Sequence, residues 1–143
     1  MTAKEIQRLA KEHGTPVVII DHDVIRKNYA EFKKHLPKVQ AYYAVKANPA
    51  PEVLSHLVKL GSSLDVASRG EIELALAAGA AADRISFGNT IKKQRDIAFA
   101  YEQGVRLYAF DSEAELTKLA ESAPGSKVFC RLLMTCEGAD WPL

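Results

Sequence analysis

The sequence lacks several features that mark whole classes of protein. It has no glycine-rich G-x-G-x-x-G turn, which opens many dinucleotide-binding folds. Basic residues are scattered, with no cluster larger than the pairs Lys33-Lys34 and Lys92-Lys93, and the formal net charge is only +1. The charge pattern therefore predicts no nucleic-acid partner and no membrane-surface partner.

Long apolar runs and cysteines are also scarce. No apolar run is long enough to span a bilayer, and residues 1–5 lack the apolar core of a signal peptide. The two cysteines, Cys130 and Cys136, have no histidine neighbours in the sequence. We interpret them as reduced thiols of a cytoplasmic protein and predict no metal site.

The remaining composition, 48% hydrophobic and 26% charged, is that of an ordinary globular domain. The chain is predicted to open with a helix from Thr2 to Gly14, a strand over 17–20 and a helix capped by Asp21 or Asp23. Further strands are predicted to begin near Tyr42, Leu64, Arg84, Arg106 and Lys127, with helices over 52–60, 71–78, 92–103 and 113–121. Ser68-x-x-Glu71 and Ser112-x-x-Glu115 predict capping boxes. This alternation is typical of βαβ units on a parallel sheet.

Two α/β architectures fit the alternation, a doubly wound sheet and a (β/α)₈ barrel. The absence of the glycine-rich turn disfavours a nucleotide-binding doubly wound sheet, whereas a complete barrel needs about 250 residues. We therefore predict a partial TIM (β/α)₈ barrel of about five βα units over 38–143, preceded by a helix, strand and helix over 1–37. We expect the chain to be a fragment of a barrel, or a missing piece to complete the barrel, since residues 138–143 show no closing helix.

Polar residues are predicted near the carboxyl ends of the strands, where α/β proteins place their chemistry. They are Lys46, Asp65, Asn89 or Gly88, Asp111 and Arg131. Alternation along the first of these strands places Tyr42, Ala44 and Lys46 on one face, and the small Ala44 leaves space beneath the amine. Spacing alone leaves open that Asp65 and Asp111 merely cap the helices that follow them.

Four sequence blocks, in order, resemble the fold-type III pyridoxal-phosphate decarboxylases that act on ornithine, lysine, arginine or diaminopimelate. The blocks are AYYAVKAN at 41–48, GSSLDVASRGEI at 61–72, RISFGNTIK at 84–92 and FDSEAEL at 110–116. Within that group the likeness is nearest to ornithine or ornithine/lysine decarboxylase. The resemblance implies an alanine racemase-like barrel and assigns the strand at 17–20 to a β-domain that the chain does not contain.

The resemblance also implies roles for individual residues. Lys46 matches the lysine that binds pyridoxal 5'-phosphate covalently and assists proton transfer, in a desolvated strand-end environment. Asp65 and Glu71 match carboxylates that approach this lysine, although Glu71 also belongs to the predicted capping box of Ser68. Arg131 matches an arginine near the cofactor ring, and a buried arginine needs an anionic partner; a structural salt bridge is the alternative. Asn89 and Asp111 are further candidates.

The implied function is decarboxylation of a basic amino acid, ornithine or lysine, to the diamine and carbon dioxide, in a homodimer. The family's stacking histidine, phosphate loop and pyridine-binding acid would all lie beyond residue 143. We therefore expect the isolated chain to hold the cofactor poorly and to be inactive. Three alternatives stay open: a pyridoxal-phosphate homeostasis protein, an alanine racemase, and a non-catalytic relative like the antizyme inhibitors that binds a regulatory protein.

Overall fold

The computed structural model describes residues 1–134 and Gly138, which divide into a unit Met1–Val39 and a unit Gln40–Leu143. The first unit contains α1 (Ala3–His13) and α2 (His22–His35). Thr2 caps α1 with a complete capping box, because its hydroxyl accepts from the Glu5 amide while the Glu5 carboxylate accepts from the Thr2 amide. Asp21 caps α2 by accepting from the backbone amide of Asp23. Both helices thus begin where their capping residues predict.

The strand predicted over 17–20 is not formed in this described segment of the chain. Val18 and Ile20 are exposed to 85% and 46%, so these two apolar side chains are not buried. A strand requires a hydrogen-bonded neighbour, and within the described residues the sheet pairs only strands of the second unit. Local β-propensity was therefore insufficient to form a strand here.

The second unit alternates strands and helices as predicted. Its strands are β1 (Tyr42–Ala44), β2 (Ser63–Val66), β3 (Ile85–Phe87), β4 (Leu107–Phe110) and β5 (Lys127–Cys130). Its α-helices are α3 (Pro51–Lys59), α4 (Arg69–Ala77), α5 (Gln94–Glu102) and α6 (Glu113–Ser122). The strands form one sheet in the order β1-β2-β3-β4-β5, and all neighbours are parallel. The predicted parallel α/β sheet is confirmed.

A single hydrophobic cluster joins the sheet to its helices. Fully buried strand residues such as Leu64 and Phe87 belong to the same cluster as Leu54 of α3 and Ile97 of α5. Tyr108 of β4 is also buried; its hydroxyl donates to the Val105 carbonyl over 2.9 Å. Burial raises the pKa of Tyr108 to about 12. This core holds the strand ends in place.

The first strand ends earlier than predicted. β1 stops at Ala44, and Val45–Ala47 form a single 3₁₀ turn. Val45 is completely buried in the core cluster, which turns the chain immediately after Ala44. Lys46 therefore lies on this turn, two residues after the end of β1, and not within the strand where alternation placed it.

Both predicted capping boxes are only half formed. Ser68 and Ser112 cap α4 and α6, each accepting a hydrogen bond from the backbone amide three residues later. The Glu71 carboxylate accepts instead from the Ala67 amide, and the Glu115 carboxylate forms ion pairs with lysines. The serines are therefore N-caps as predicted, but the two glutamates have other functions.

The sheet has open edges at β1 and β5 in the described part of the chain. All four residues of β5 are exposed, including the apolar Val128 and Phe129. Cys130, on this edge, is a free thiol, whereas Cys136 and most of 138–143 lie outside the described residues. Among the residues described, no helix combines the length and apolar character needed to cross a bilayer.

Candidate active site

An open pocket of about 450 Å³ lies at the carboxyl ends of the strands. Its walls come from the ends of β1, β2 and β5, from the loop after β3 and from the first turn of α4. The lining residues are Ala44, Lys46, Asp65, Ala67, Glu71, Gly88, Asn89, Phe129 and Arg131. The carboxyl edge of a parallel sheet is where α/β proteins bind their ligands.

The four residues that the sequence singled out for cofactor binding meet in this pocket: Lys46, Asp65, Glu71 and Arg131. Asn89 joins them, whereas Asp111 is exposed and is not part of the pocket wall among the residues described. The predicted convergence of strand-end side chains is therefore present for β1, β2, β3 and β5. The chemical role of each residue stays a prediction.

The two cations of the site are more exposed than predicted. Both Lys46 and Arg131 are exposed residues, so neither is the desolvated or buried group that the sequence analysis expected. Lys46 follows the edge strand β1, and Arg131 follows the edge strand β5. An edge strand has a neighbour on one side only, which explains why the groups that extend from both edges reach solvent.

Asp65 is held by the neighbouring strand. Asp65 and Ser86 are register partners between β2 and β3, and the Ser86 hydroxyl donates to Asp65 Oδ1 over 2.5 Å. The carboxylate also lies against the Cα of Gly88, where an added Cβ would be 2.7 Å from Asp65 Cγ. Ser86 is only 4% exposed, so its hydrogen bond to Asp65 is shielded from water. The contact between Ser86 and Asp65 follows from the register of β2 and β3, which the sequence alone does not specify.

Glu71 both organises the entry to α4 and lines the pocket. Its Oε2 accepts a hydrogen bond from the Ala67 amide over 2.7 Å, which ties the helix to the end of β2. Its partner in the predicted capping box, Ser68, uses its own hydroxyl to accept from the Glu71 amide. The structural role and the proposed cofactor role of Glu71 are therefore compatible.

The floor of the pocket is made of small residues. Ala44, Ala67 and Gly88 lie among the charged groups and leave room for a flat ligand. Asn89 extends this wall, and its side-chain amide donates to the Ala67 carbonyl over 3.3 Å. Phe129 of β5, which the sequence analysis missed, adds an aromatic surface. The available signal was its spacing: it lies two residues before Arg131, and residues two apart along a strand share a face.

The donor set fits pyridoxal phosphate at its aldehyde end. An exposed amine, Lys46, can condense with an aldehyde, and the carboxylates of Asp65 and Glu71 can stabilise positive charge beside it. The small floor and Phe129 suit a flat ring. The described residues thus offer a nucleophilic amine, counter-charges and space within one pocket.

Comparison with known proteins supports this interpretation. The family described as "Pyridoxal-dependent decarboxylase, pyridoxal binding domain" matches residues 22–143. A lysine/ornithine decarboxylase from Selenomonas ruminantium is 38% identical over 132 residues, which cover 92% of this chain and 34% of that protein. Antizyme inhibitor 2 from Xenopus laevis is 40% identical over 110 residues, which cover 77% of this chain and 24% of that protein.

Solved structures agree. A lysine/ornithine decarboxylase from Vibrio vulnificus, complexed with putrescine, superposes with a TM-score of 0.84 at 33% identity, covering 92% of this chain and 36% of that one. The chain thus spans about a third of the length of the decarboxylases it matches. The predicted partial barrel and the predicted relationship are both confirmed. The chain belongs to the pyridoxal-dependent decarboxylase family, and its residues 22–143 match the family's pyridoxal-binding domain.

Proposed function

We propose that this chain forms part of the cofactor site of a pyridoxal-phosphate-dependent decarboxylase acting on a basic amino acid, ornithine or lysine. The observation that carries the proposal is the presence of Lys46 in one open pocket with Asp65, Glu71 and Arg131. The family match and the similarity to lysine/ornithine decarboxylases support it. Because the chain spans about a third of those relatives, the reaction is proposed for the whole protein.

Each residue of the site has a distinct task in this proposal. Lys46 supplies the amine that binds the cofactor covalently and later carries a proton. Asp65, oriented by Ser86, balances the positive charge that develops beside that amine. Glu71 adds a second carboxylate while it holds the Ala67 amide. Arg131 supplies a fixed positive charge on the opposite edge of the pocket.

Pyridoxal phosphate, when bound, supplies an aldehyde that condenses with amines and a ring that withdraws electrons from the substrate's α-carbon. The chain's contribution is to position the amine and its counter-charges around that ring. A cytoplasmic location, expected from the two reduced cysteines, and a homodimer, implied by the family resemblance, belong to the same proposal.

The proposal is tested by trapping the cofactor. The 143-residue chain is mixed with substoichiometric pyridoxal phosphate, reduced with borohydride and mapped by peptide mass spectrometry. Reduction makes the adduct permanent, so that weak binding is detected. We expect labelling to favour Lys46 over exposed lysines such as Lys59, and Lys46→Met to abolish the preferred site while Lys59→Met leaves it unchanged. Equal labelling of all exposed lysines would reject the proposed site.

The reaction and substrate need a second experiment. The protein that contains this chain is purified from its native source and assayed for carbon dioxide release from ornithine, lysine, arginine and diaminopimelate. We expect release from ornithine or lysine, with the diamine as the other product. Conversion of L-alanine to its D-form instead would identify a racemase.

A non-catalytic function is the second candidate, because antizyme inhibitor 2 is among the similar proteins. The two candidates differ in what happens after cofactor trapping. A decarboxylase labels at Lys46 and releases carbon dioxide, whereas a non-catalytic relative releases none from any of the four amino acids. A pull-down of the same preparation with antizyme as the bait then identifies the regulatory alternative.

A further inference from the structure

A buried ion-pair cluster lies beside the pocket and has no part in the chemistry proposed above. It consists of Lys92, Glu115 and Lys118. The side chains of Lys92 and Glu115 are exposed to only 0% and 2%, and Lys92 Nζ lies 2.8 Å from Glu115 Oε1. Lys118, 31% exposed, contacts the other carboxylate oxygen, Oε2, over 2.5 Å. A fully buried lysine is rare in proteins, so its position requires an explanation.

Lys92 connects the pocket wall to the interior. Its ammonium group donates to the carbonyl oxygen of Asn89 over 2.9 Å and to that of Ala109 in β4 over 2.6 Å. It also lies 5.6 Å from the centre of the Phe87 ring in β3. Because Oε1 of Glu115 makes no well-aligned hydrogen bond, its contact with Lys92 is an ion pair rather than a hydrogen bond. Asn89, one of the two residues whose carbonyls Lys92 binds, lines the pocket.

The segment that Lys92 holds has no regular structure of its own. Between the end of β3 at Phe87 and the start of α5 at Gln94, residues 88–93 form neither helix nor strand. Ile91 in this loop is 74% exposed, so the loop is not held there by apolar packing. Irregular loops with few buried contacts open more readily than the core. The Lys92 hydrogen bonds are therefore well placed to restrain Gly88 and Asn89.

Stability alone does not explain the cluster. Burial of two charges is unfavourable, and replacing a buried ion pair with apolar residues of similar size is often neutral or stabilising. What an apolar replacement cannot do is donate hydrogen bonds to the carbonyls of Asn89 and Ala109. We propose that Lys92, with Glu115 as its counter-ion, is a positioning residue that holds the Gly88–Asn89 wall of the cofactor pocket. This inference rests on the proposed cofactor function of the pocket.

The test separates positioning from stability with a double variant. Lys92→Met combined with Glu115→Leu removes both buried charges together, so the only charge that loses its partner is that of Lys118, which is partly exposed to water. The matched control is Ser62→Ala, which removes a buried hydrogen-bonding side chain that lies outside residues 88–93 and outside the pocket wall. Unfolding midpoints in urea first establish that each variant is folded.

Two measurements then follow on each variant. Hydrogen exchange with mass spectrometry reports the opening of residues 88–93, and borohydride trapping with pyridoxal phosphate reports the rate of labelling at Lys46. In the double variant we expect exchange in 88–93 to accelerate about tenfold or more. We expect labelling at Lys46 to slow severalfold in the same variant, while Ser62→Ala stays close to wild type in both measurements.

Each contrary result overturns the inference. Unchanged exchange in 88–93, or acceleration equal to that in Ser62→Ala, would show that Lys92 does not hold the loop. Faster exchange with unchanged labelling at Lys46 would show that the loop does not position the site. If the wild-type chain shows no preferred labelling at Lys46, the proposed function fails, and the exchange measurement alone decides whether Lys92 restrains this loop.

Discussion

Ser86 Oγ donates a hydrogen bond to Asp65 Oδ1 over 2.5 Å, between residues that are register partners on β2 and β3. The bond fixes a pocket carboxylate from a buried position in the sheet. A carboxylate next to a reacting amine must be held in one orientation to act on the charge that develops there. The pair therefore links the sheet register to the chemistry that we propose for the pocket.

Removal of the Ser86 hydroxyl tests this link. In Ser86→Ala we expect the free energy of unfolding to fall by about 1–3 kcal/mol, since the lost hydrogen bond has a charged acceptor. We also expect slower borohydride trapping of pyridoxal phosphate at Lys46. The control is Ser62→Ala, which removes another buried hydroxyl, one that donates to the Ser63 carbonyl outside the pocket wall. Equal trapping rates in the two variants would disprove a role for Ser86 in the site.

The buried ion pair predicts a difference between single and double substitutions. Glu115→Gln leaves the Lys92 ammonium buried without its counter-charge, and we expect the free energy of unfolding to fall by about 3–5 kcal/mol. Lys92→Met combined with Glu115→Leu should be less destabilised than Glu115→Gln, because neither buried charge is left without its partner, although the carbonyls of Asn89 and Ala109 lose their donor. Urea denaturation measures both. A double variant as unstable as Glu115→Gln would contradict the prediction.

Acid stability should depend on Glu115. Burial raises the pKa of Glu115, but the ammonium groups of Lys118 and Lys92 beside its carboxylate outweigh that effect and hold the pKa below its ordinary value of 4.5. In the unfolded chain the carboxyl therefore binds a proton at higher pH than in the folded chain, so stability is lost as pH falls below about 4.5. We expect this loss to be shallower in the double variant, which lacks the carboxyl. Urea midpoints between about pH 3 and 6 measure the slope, and exposed Glu52→Gln is the control, which should parallel wild type.

Alkaline stability should depend on Tyr108. Its pKa is raised by burial from 10.0 to about 12, so the unfolded chain loses this proton first and folding stability falls as pH rises through that interval. Tyr108→Phe removes the titrating group and should flatten the loss. At neutral pH it also removes the hydrogen bond to Val105, at a cost of about 1 kcal/mol. Urea midpoints measured from neutral pH upward test both effects, with exposed Tyr42→Phe as the control; an unchanged alkaline slope in Tyr108→Phe would contradict the assignment.

The sequence predicted the local structure of the second unit well, because its signals act over a few residues. Ser68 and Ser112 cap their helices as their positions indicate, and the alternation of strand and helix gives the parallel sheet. The strand-end residues that converge in the pocket were also predictable, since parallel strands place their carboxyl ends at one edge. Lys46, Asp65 and Arg131 are therefore found together, and Glu71, which the family resemblance implied, joins them from the first turn of α4.

Errors arose where an outcome depends on a distant partner. The apolar run at 17–20 has the propensity of a strand but no paired neighbour among the described residues. The carboxylates of Glu71 and Glu115 turn away from their predicted capping boxes, because the Ala67 amide and two lysines compete for them. Local spacing contains no information about such competing partners.

The sequence by itself determined which side chains lie at the strand ends and which family the chain resembles, because strand order and motif spacing are properties of the linear sequence. Tertiary structure alone decided how those side chains are held: Asp65 by Ser86 across the sheet register, and Asn89 by a lysine buried with its counter-charge. It also decided that Lys46 and Arg131 are exposed at the two edges of the sheet. Burial and charge pairing depend on residues far apart in sequence, which only the folded chain brings into contact.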